Sequence, residues 1–189
     1  MAIRRICKHG EKILEKKTRK VDFSKMKAEL PSILSDMFAT MDAAKGLGLS
    51  ANQVGLDLRI SVIKIVKEND EDLKITLINP EIVESSGGLY REEGCLSFPG
   101  LFAKVKRCAK VKVRALNEKG LPIEINAEGL FARVLQHEID HLDGITFITR
   151  LPFTTRLRLK PVLFRLKNQW KKIDESRLNG RAEKIENGE

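Results

Sequence analysis

The chain has 189 residues, 42% hydrophobic and 32% charged, enough for one domain with a sizeable core. No apolar run approaches the length of a membrane span, and Met1-Ala2-Ile3-Arg4-Arg5-Ile6-Cys7 leads into Lys8, His9 and Glu11 rather than an apolar leader, so no membrane partner and a cytoplasmic location are expected. The net charge of +9 is uneven: residues 150–189 hold eleven Lys/Arg against five Asp/Glu, a net +6, leaving +3 for the body, so the basic tail suits an acidic partner such as RNA.

Residues 8–20 read as a charged surface segment. Ile33, Leu34, Met37, Phe38 and Met41 recur at spacings of three and four and predict a helix. Pro31 either opens it or kinks a longer helix starting near Ser24, and Lys45-Gly46 ends it. Residues 46–55 carry three glycines, which suits a backbone passing close to something. No Gly-Lys-Ser/Thr follows, so this is not a phosphate loop; alone it reads as a helix-to-strand connection. Residues 60–66 and 73–78 are predicted strands of a hairpin, joined by the acidic turn 67–72. Asn79-Pro80 is expected to break the second strand, leaving 81–83 as a short extended piece before the turn at 85–88. Residues 92–100 are placed between strands. Residues 109–116 alternate with period two, Asn117 to Gly120 is a turn, and 122–126 is the antiparallel partner.

A helix is predicted over 129–142, with Gly144 as its stop. Leu130, Val134, His137, Glu138 and His141 lie on one side of it, and Phe131, Leu135, Ile139 and Leu142 on the other, so it should be buried. Beyond Pro152 come a short basic stretch, Pro161, and a basic amphipathic run to Lys172 with Leu163, Phe164, Leu166 and Trp170 as its apolar stripe. Residues 174–189 are polar and expected to fray. The expected fold is α+β: antiparallel sheets packed around the central helix, with an amino-terminal and a carboxy-terminal helix. Residues 1–152 should form one catalytic metallohydrolase domain, and 153–189 a basic helix with a frayed tail.

Two of the three histidines, His137 and His141, stand four apart on the central helix with Glu138 between them. Imidazoles one turn apart can grip one metal ion, while the glutamate reaches a water without being a ligand. Burial supports this, because polar groups in a core need partners. A catalytic site of this type needs a third ligand. No histidine follows His141, Asp143 is too close along the helix, and Asp174 and Glu175 sit in the tail. The best candidate lies upstream at Cys95, whose thiolate suits borderline and soft metals, although alone it would read as a buried thiol. With Cys7 and Cys108 it makes an odd cysteine count, which does not read as a disulfide framework.

Three motifs now stand in order: Gly46-Leu47-Gly48-Leu49-Ser50-Ala51-Asn52-Gln53, Glu93-Gly94-Cys95-Leu96-Ser97 and Gln136-His137-Glu138-Ile139-Asp140-His141. Together they resemble the signature of the peptide deformylases, over about residues 3–152. The resemblance implies that Cys95, His137 and His141 hold the metal and that Glu138 is general base and acid. It implies that the Gln53 amide and the Leu96 N–H stabilise an oxyanion, and that Gly48 offers the substrate a backbone hydrogen bond. The implied metal is Fe²⁺, replaceable by Zn²⁺ or Ni²⁺; the implied substrates are formyl-Met nascent peptides. Gly94 and an apolar pocket of Leu47, Leu130 and Val134 would complete substrate binding. Ser50 replaces a more usual alanine, a conservative exchange.

Arg91 and Arg133 stand where the family often has apolar residues; they rim the pocket or are solvated, the second being favoured. Glu93, Arg107 and Asp140 are expected to form an ion network steadying the Cys95 loop. Two rival readings are an H-E-x-x-H metallopeptidase, which has no use for Cys95 or Gln53, and a structural metal domain binding RNA or the ribosome. The tail could serve a deformylase too, by meeting acidic ribosomal RNA.

Overall fold

The computed structural model describes residues 1–65 and 72–186. Most of the acidic turn at 67–72 therefore lies outside the described residues. After a single 3-10 turn at Lys12–Glu15 come α1 (Phe23–Met26) and α2 (Leu30–Ala43). Pro31 falls in the first turn of α2, where a missing N–H leaves no broken bond, so it opens the helix. Leu30, Leu34, Met37 and Met41 point inward, and the helix stops where Lys45 turns left-handed at φ 55°.

Seven strands follow among the described residues: β1 (Gly48–Ser50), β2 (Ile60–Ile65), β3 (Leu73–Ser86), β4 (Leu89–Gly94), β5 (Phe102–Arg107), β6 (Lys110–Leu116) and β7 (Pro122–Glu128). They form an antiparallel five-stranded sheet in the order β1-β2-β3-β6-β7 and a two-stranded sheet β4-β5. The hairpin of β2 and β3 is present as expected. Asn79-Pro80 does not end the strand, contrary to expectation. Asn79 takes φ 53°, a conformation asparagine tolerates, and the register slips between Ile78 and Glu81. One long strand thus pairs first with β2 and then with β6. The Asn79 side chain supports the bulge, accepting from Val21 N at 2.8 Å and donating to Val21 O at 2.9 Å.

The β4-β5 hairpin was not predicted, because β4 is polar and buries only Glu93. Its Phe102 ring lies over Gly94, the residue opposite in register, where an added Cβ would come within 2.6 Å of the ring. The helix α3 (Gly129–Leu142) has the predicted bounds. Ala132, Leu135 and Ile139 pack on Ile63, Leu77, Val111 and Val113 of the large sheet. Gly144, at φ 73°, turns the chain where a Cβ would strike the Glu15 carbonyl at 2.7 Å.

A 3-10 turn at Phe147–Arg150 leads into α4 (Phe153–Glu186). This helix runs through Pro161, and it departs from the sequence reading by continuing to Glu186 where polar composition suggested fraying. Leu163 and Trp170 bury themselves against Phe98, Leu101, Val105 and Phe147. The helix is therefore anchored to the body by its apolar stripe. No described helix is long and apolar enough to cross a membrane.

Candidate metal centre

Cys95 lies just after β4, and α3 brings His137 and His141 to it. One ligand atom from each residue lies within 4.8 Å of the others. Cys95 Sγ is 3.1 Å from His141 Nε2. His137 Nδ1 faces Glu93 Oε2 at 3.2 Å, which leaves its Nε2 lone pair for the centre. A thiolate with two imidazoles is a donor set for a borderline divalent ion, and three protein ligands leave a position open. The residues fit a catalytic metal.

Electrostatics support the same reading. Burial works against charge on Cys95, but the two imidazoles outweigh it and hold the thiol well below its ordinary value. Burial likewise works against charge on His137, yet the Cys95 thiolate and Glu93 lift it to about 10. The thiol and the imidazole thus favour each other's charged forms, and an ion binding there competes with a proton. Burial raises the Glu138 carboxyl, as suits a group that must accept and return a proton.

Gln53 sits on the 3-10 turn Ala51–Val54. The Ser50 N–H donates to Gln53 Oε1 at 2.9 Å, so the amide is oriented with Nε2 toward Cys95 Sγ (3.5 Å) and Ser97 Oγ (3.2 Å). Leu96 lines the cleft, and its backbone N–H meets no acceptor among the described residues. Gly48, on β1, is a glycine because a Cβ there would lie 2.5 Å from Glu138 Oε1. Ser50 is more than a conservative exchange. Its hydroxyl lies 2.7 Å from Glu138 Oε2, 2.9 Å from Glu138 O and 2.9 Å from Ser61 Oγ, so it is in position to hold one carboxylate oxygen.

The expected ion network is present and larger than expected. Arg107 grips Glu93 at 2.9 and 3.0 Å and also pairs with Asp140, all three being buried. Asp140 is held by Arg150 as well, whose Nε donates to the same Oδ2 at 3.0 Å and whose Nη2 donates to Oδ1. Burial opposes the Glu93 charge, but His137 and Arg107 bring its pKa down to about 2. Arg150 was missed, because a single arginine after the central helix carries no motif. Asn52, whose amide donates to His141 O, was missed as well.

The amino-terminal segment was also undervalued. Ala2 N binds Asp36 Oδ1 at 2.7 Å, Cys7 N binds Gln53 O at 2.7 Å and His9 N binds Ser97 O at 3.0 Å. It therefore straps together the two loops that carry Gln53 and Cys95.

Above these groups lies a cleft of about 590 Å³. Leu47, Gly48, Gly94, Leu130 and Val134, the residues the sequence reading assigned to substrate binding, all line it. Arg133 lines it too, against the favoured reading, whereas Arg91 is exposed and turned toward the Tyr90 carbonyl.

The family model for polypeptide deformylase matches residues 3–156. A peptide deformylase of Aquifex aeolicus is 51% identical over 150 residues, covering 79% of this chain and 88% of the relative. One from Elusimicrobium minutum is 45% identical over 175 residues, covering 90% and 99%. Among solved structures, a peptide deformylase from Legionella pneumophila superposes with a TM-score of 0.79 at 43% identity, covering 90% of this chain and 98% of that one.

Proposed function

The chain belongs to the polypeptide deformylase family, and from that premise we propose how its own residues perform the reaction. It is a metal-dependent hydrolase that removes the formyl group from the amino-terminal methionine of newly made polypeptides, releasing formate. The observation that carries the assignment of residues is the meeting of Cys95, His137 and His141 within 4.8 Å, beside Glu138, beneath a cleft with apolar walls.

Cys95, His137 and His141 hold the ion, and Fe²⁺ is its natural identity, with Zn²⁺ and Ni²⁺ able to replace it. When bound, a divalent ion supplies Lewis acidity, bringing a water's pKa from about 16 toward 7. Leu47, Leu130 and Val134 receive the methionine side chain, and Gly48 and Gly94 approach the peptide backbone closely. Glu138 takes a proton from the attacking water as oxygen bonds to the formyl carbon. Ser50 holds Glu138 Oε2, so Oε1, facing Gly48, is the oxygen that accepts the proton. The carbonyl oxygen becomes an oxyanion, met by Gln53 Nε2–H and the Leu96 N–H; losing one such donor costs about 3 kcal/mol. Glu138 then returns the proton to the departing nitrogen, the C–N bond breaks, and formate and a free amine leave.

The test is formate release from formyl-Met-Ala-Ser by anaerobically prepared protein, beside Glu138→Gln. Anaerobic handling protects both Fe²⁺ and the Cys95 thiolate. The variant should retain metal and lose about 10²- to 10⁴-fold in kcat. Cleavage of internal peptide bonds without formate would instead establish the metallopeptidase reading.

The residues given roles in the reaction all fall within residues 1–152, but α4 completes the core beneath them, so the unit extends past 152; we place it in the cytoplasm, where nascent chains emerge. The exposed cations Arg158, Lys160, Arg165 and Lys172 of α4 give the protein a face for acidic ribosomal RNA. Deleting α4 is a poor test, because Trp170 is part of the core. Reversing Arg158, Lys160 and Arg165 to Glu should weaken ribosome co-sedimentation at low salt while turnover of short peptides persists. Unchanged co-sedimentation would refute the docking.

A further inference from the structure

We propose that Arg133 makes the cleft selective for substrates carrying a carboxylate just beyond the methionine. This rests on the deformylase reading above and deepens it. Leu130, Arg133, Val134 and His137 stand at i, i+3, i+4 and i+7 along one face of α3, and all four line the cleft. Arg133 stands one turn before the ligand His137, on the same wall as the proposed methionine pocket. A substrate chain leaving that pocket along α3 passes its guanidinium.

Arg133 differs from the other arginines in or near the core. Arg107 and Arg59 are each matched to carboxylates, at 2.9 Å from Glu93 and 2.8 Å from Asp143. Arg133 is half-buried, yet its Nη1 reaches only the Glu92 carbonyl at 3.3 Å, and no carboxylate lies within ion-pair distance of it among the described residues. The rim as a whole has the same bias. Lys45 lines the cleft with Arg133, and the carboxylate beside them is that of Glu92. The deeper carboxylates are already engaged, Glu93 with Arg107 and His137, and Glu138 with Ser50. A planar guanidinium with free N–H groups at the edge of a substrate groove recognises a carboxylate in a forked geometry. That carboxylate can be an acidic side chain on the next residue or the free carboxyl terminus of a very short peptide.

The test compares kcat/KM for formyl-Met-Asp-Ser-amide, formyl-Met-Ala-Ser-amide and formyl-Met-Lys-Ser-amide, and for formyl-Met-Ala with free and amidated ends. Wild-type protein should favour Asp over Lys by roughly two- to fivefold, the range of one solvent-screened ion pair, carried in KM rather than kcat. One molar salt should compress that ratio. Arg133→Gln should bring it to about one and Arg133→Glu should invert it, with Arg133→Lys retaining part of it. The free and amidated dipeptides show whether a terminal carboxylate serves as well as a side chain. An Asp-to-Lys ratio that is the same in wild type, Arg133→Gln and Arg133→Glu overturns the inference while leaving deformylation standing. A wild-type ratio of one, insensitive to salt, also overturns it without any variant. Absence of formate from every peptide would instead remove the reading beneath it.

Discussion

Replacing Gly48 by alanine places one methyl group against Glu138, the proposed general base. The added Cβ would stand 2.5 Å from Glu138 Oε1 and 2.8 Å from both its Cγ and Cδ. Carbon contacts relax at about 3.5 Å, so the overlap is about 1 Å at the carboxylate. Glu138 has little room to yield, since it is only 4% exposed and the Ser50 hydroxyl holds its other oxygen at 2.7 Å. β1 cannot easily yield either, because Gly48 pairs with Ile63 in the large sheet. A displacement of about 1 Å in a reacting group can cost about 100-fold, so kcat on formyl-Met-Ala-Ser should fall by about that factor. Overpacking should lower stability by about 1–3 kcal/mol. Metal content should stay at that of the wild type, because the methyl group meets the glutamate and not the ligands. Gly88→Ala is the control: its Cβ would meet only the flexible end of Lys106, at 3.3 Å. The assay is formate release with metal analysis on the same samples. A Gly48→Ala protein with kcat within about twofold of wild type would refute the claim that this glycine is set by the Glu138 carboxylate.

Arg107→Ala leaves Glu93 and Asp140 buried with half their partners gone, and breaking such a network costs about 3–5 kcal/mol. Urea unfolding should show that loss, and metal should pass to a chelator faster than from wild type; unchanged metal release would separate the network from the centre. Trp170→Ala removes the ring whose edge meets Phe98 at 6.3 Å, with an expected loss of about 3–5 kcal/mol, read as a lower Tm. A Tm equal to wild type would mean that α4 does not brace the core. Asp36→Asn weakens the amino-terminal strap, and its effect depends on pH. Hydrogen bonding from the Ala2 N–H, aided by Arg4, holds the Asp36 carboxyl below 3.8 in the folded state. Its stabilisation is fully present above that value and is lost as pH falls through the folded pKa. The difference in urea midpoint between wild type and variant should therefore be present at pH 7 and vanish in strong acid; a constant difference would refute the assignment.

What could be read in the sequence follows how local the physics is. His137, Glu138 and His141 are joined by helix geometry alone, so their spacing already implied a shared face. The bounds of α3 followed from Gly129 and Gly144 and from the apolar stripes. Cys95 was reached by a different route, from the need for a third donor, and the resemblance then supplied Gln53 and Leu96. The β2-β3 hairpin was legible because both strands are β-branched and apolar. The β4-β5 hairpin was not, because β4 is stabilised by what its residues meet elsewhere: Glu93 by Arg107, and Gly94 by the Phe102 ring.

Arg150 reaches Asp140 across only ten positions, but the other roles that were missed act over long sequence separations. Ser50 reaches Glu138 across 88 positions and Asn52 reaches His141 across 89, distances at which no periodicity carries information. The carboxy-terminal helix makes the same point in energetic form. Its basic residues were legible as a charged tail, and that reading treated the helix as separable from the chemistry. Trp170 and Leu163 instead cover Phe98, and Phe98 N–H binds the Cys95 carbonyl at 2.9 Å. The chain thus returns from its last helix to the first turn after Cys95, the proposed thiolate ligand. A segment that reads as an appendage in one dimension is, in three, one wall of the loop that carries the thiolate. Its charged face can serve a partner only because its apolar face already serves the fold.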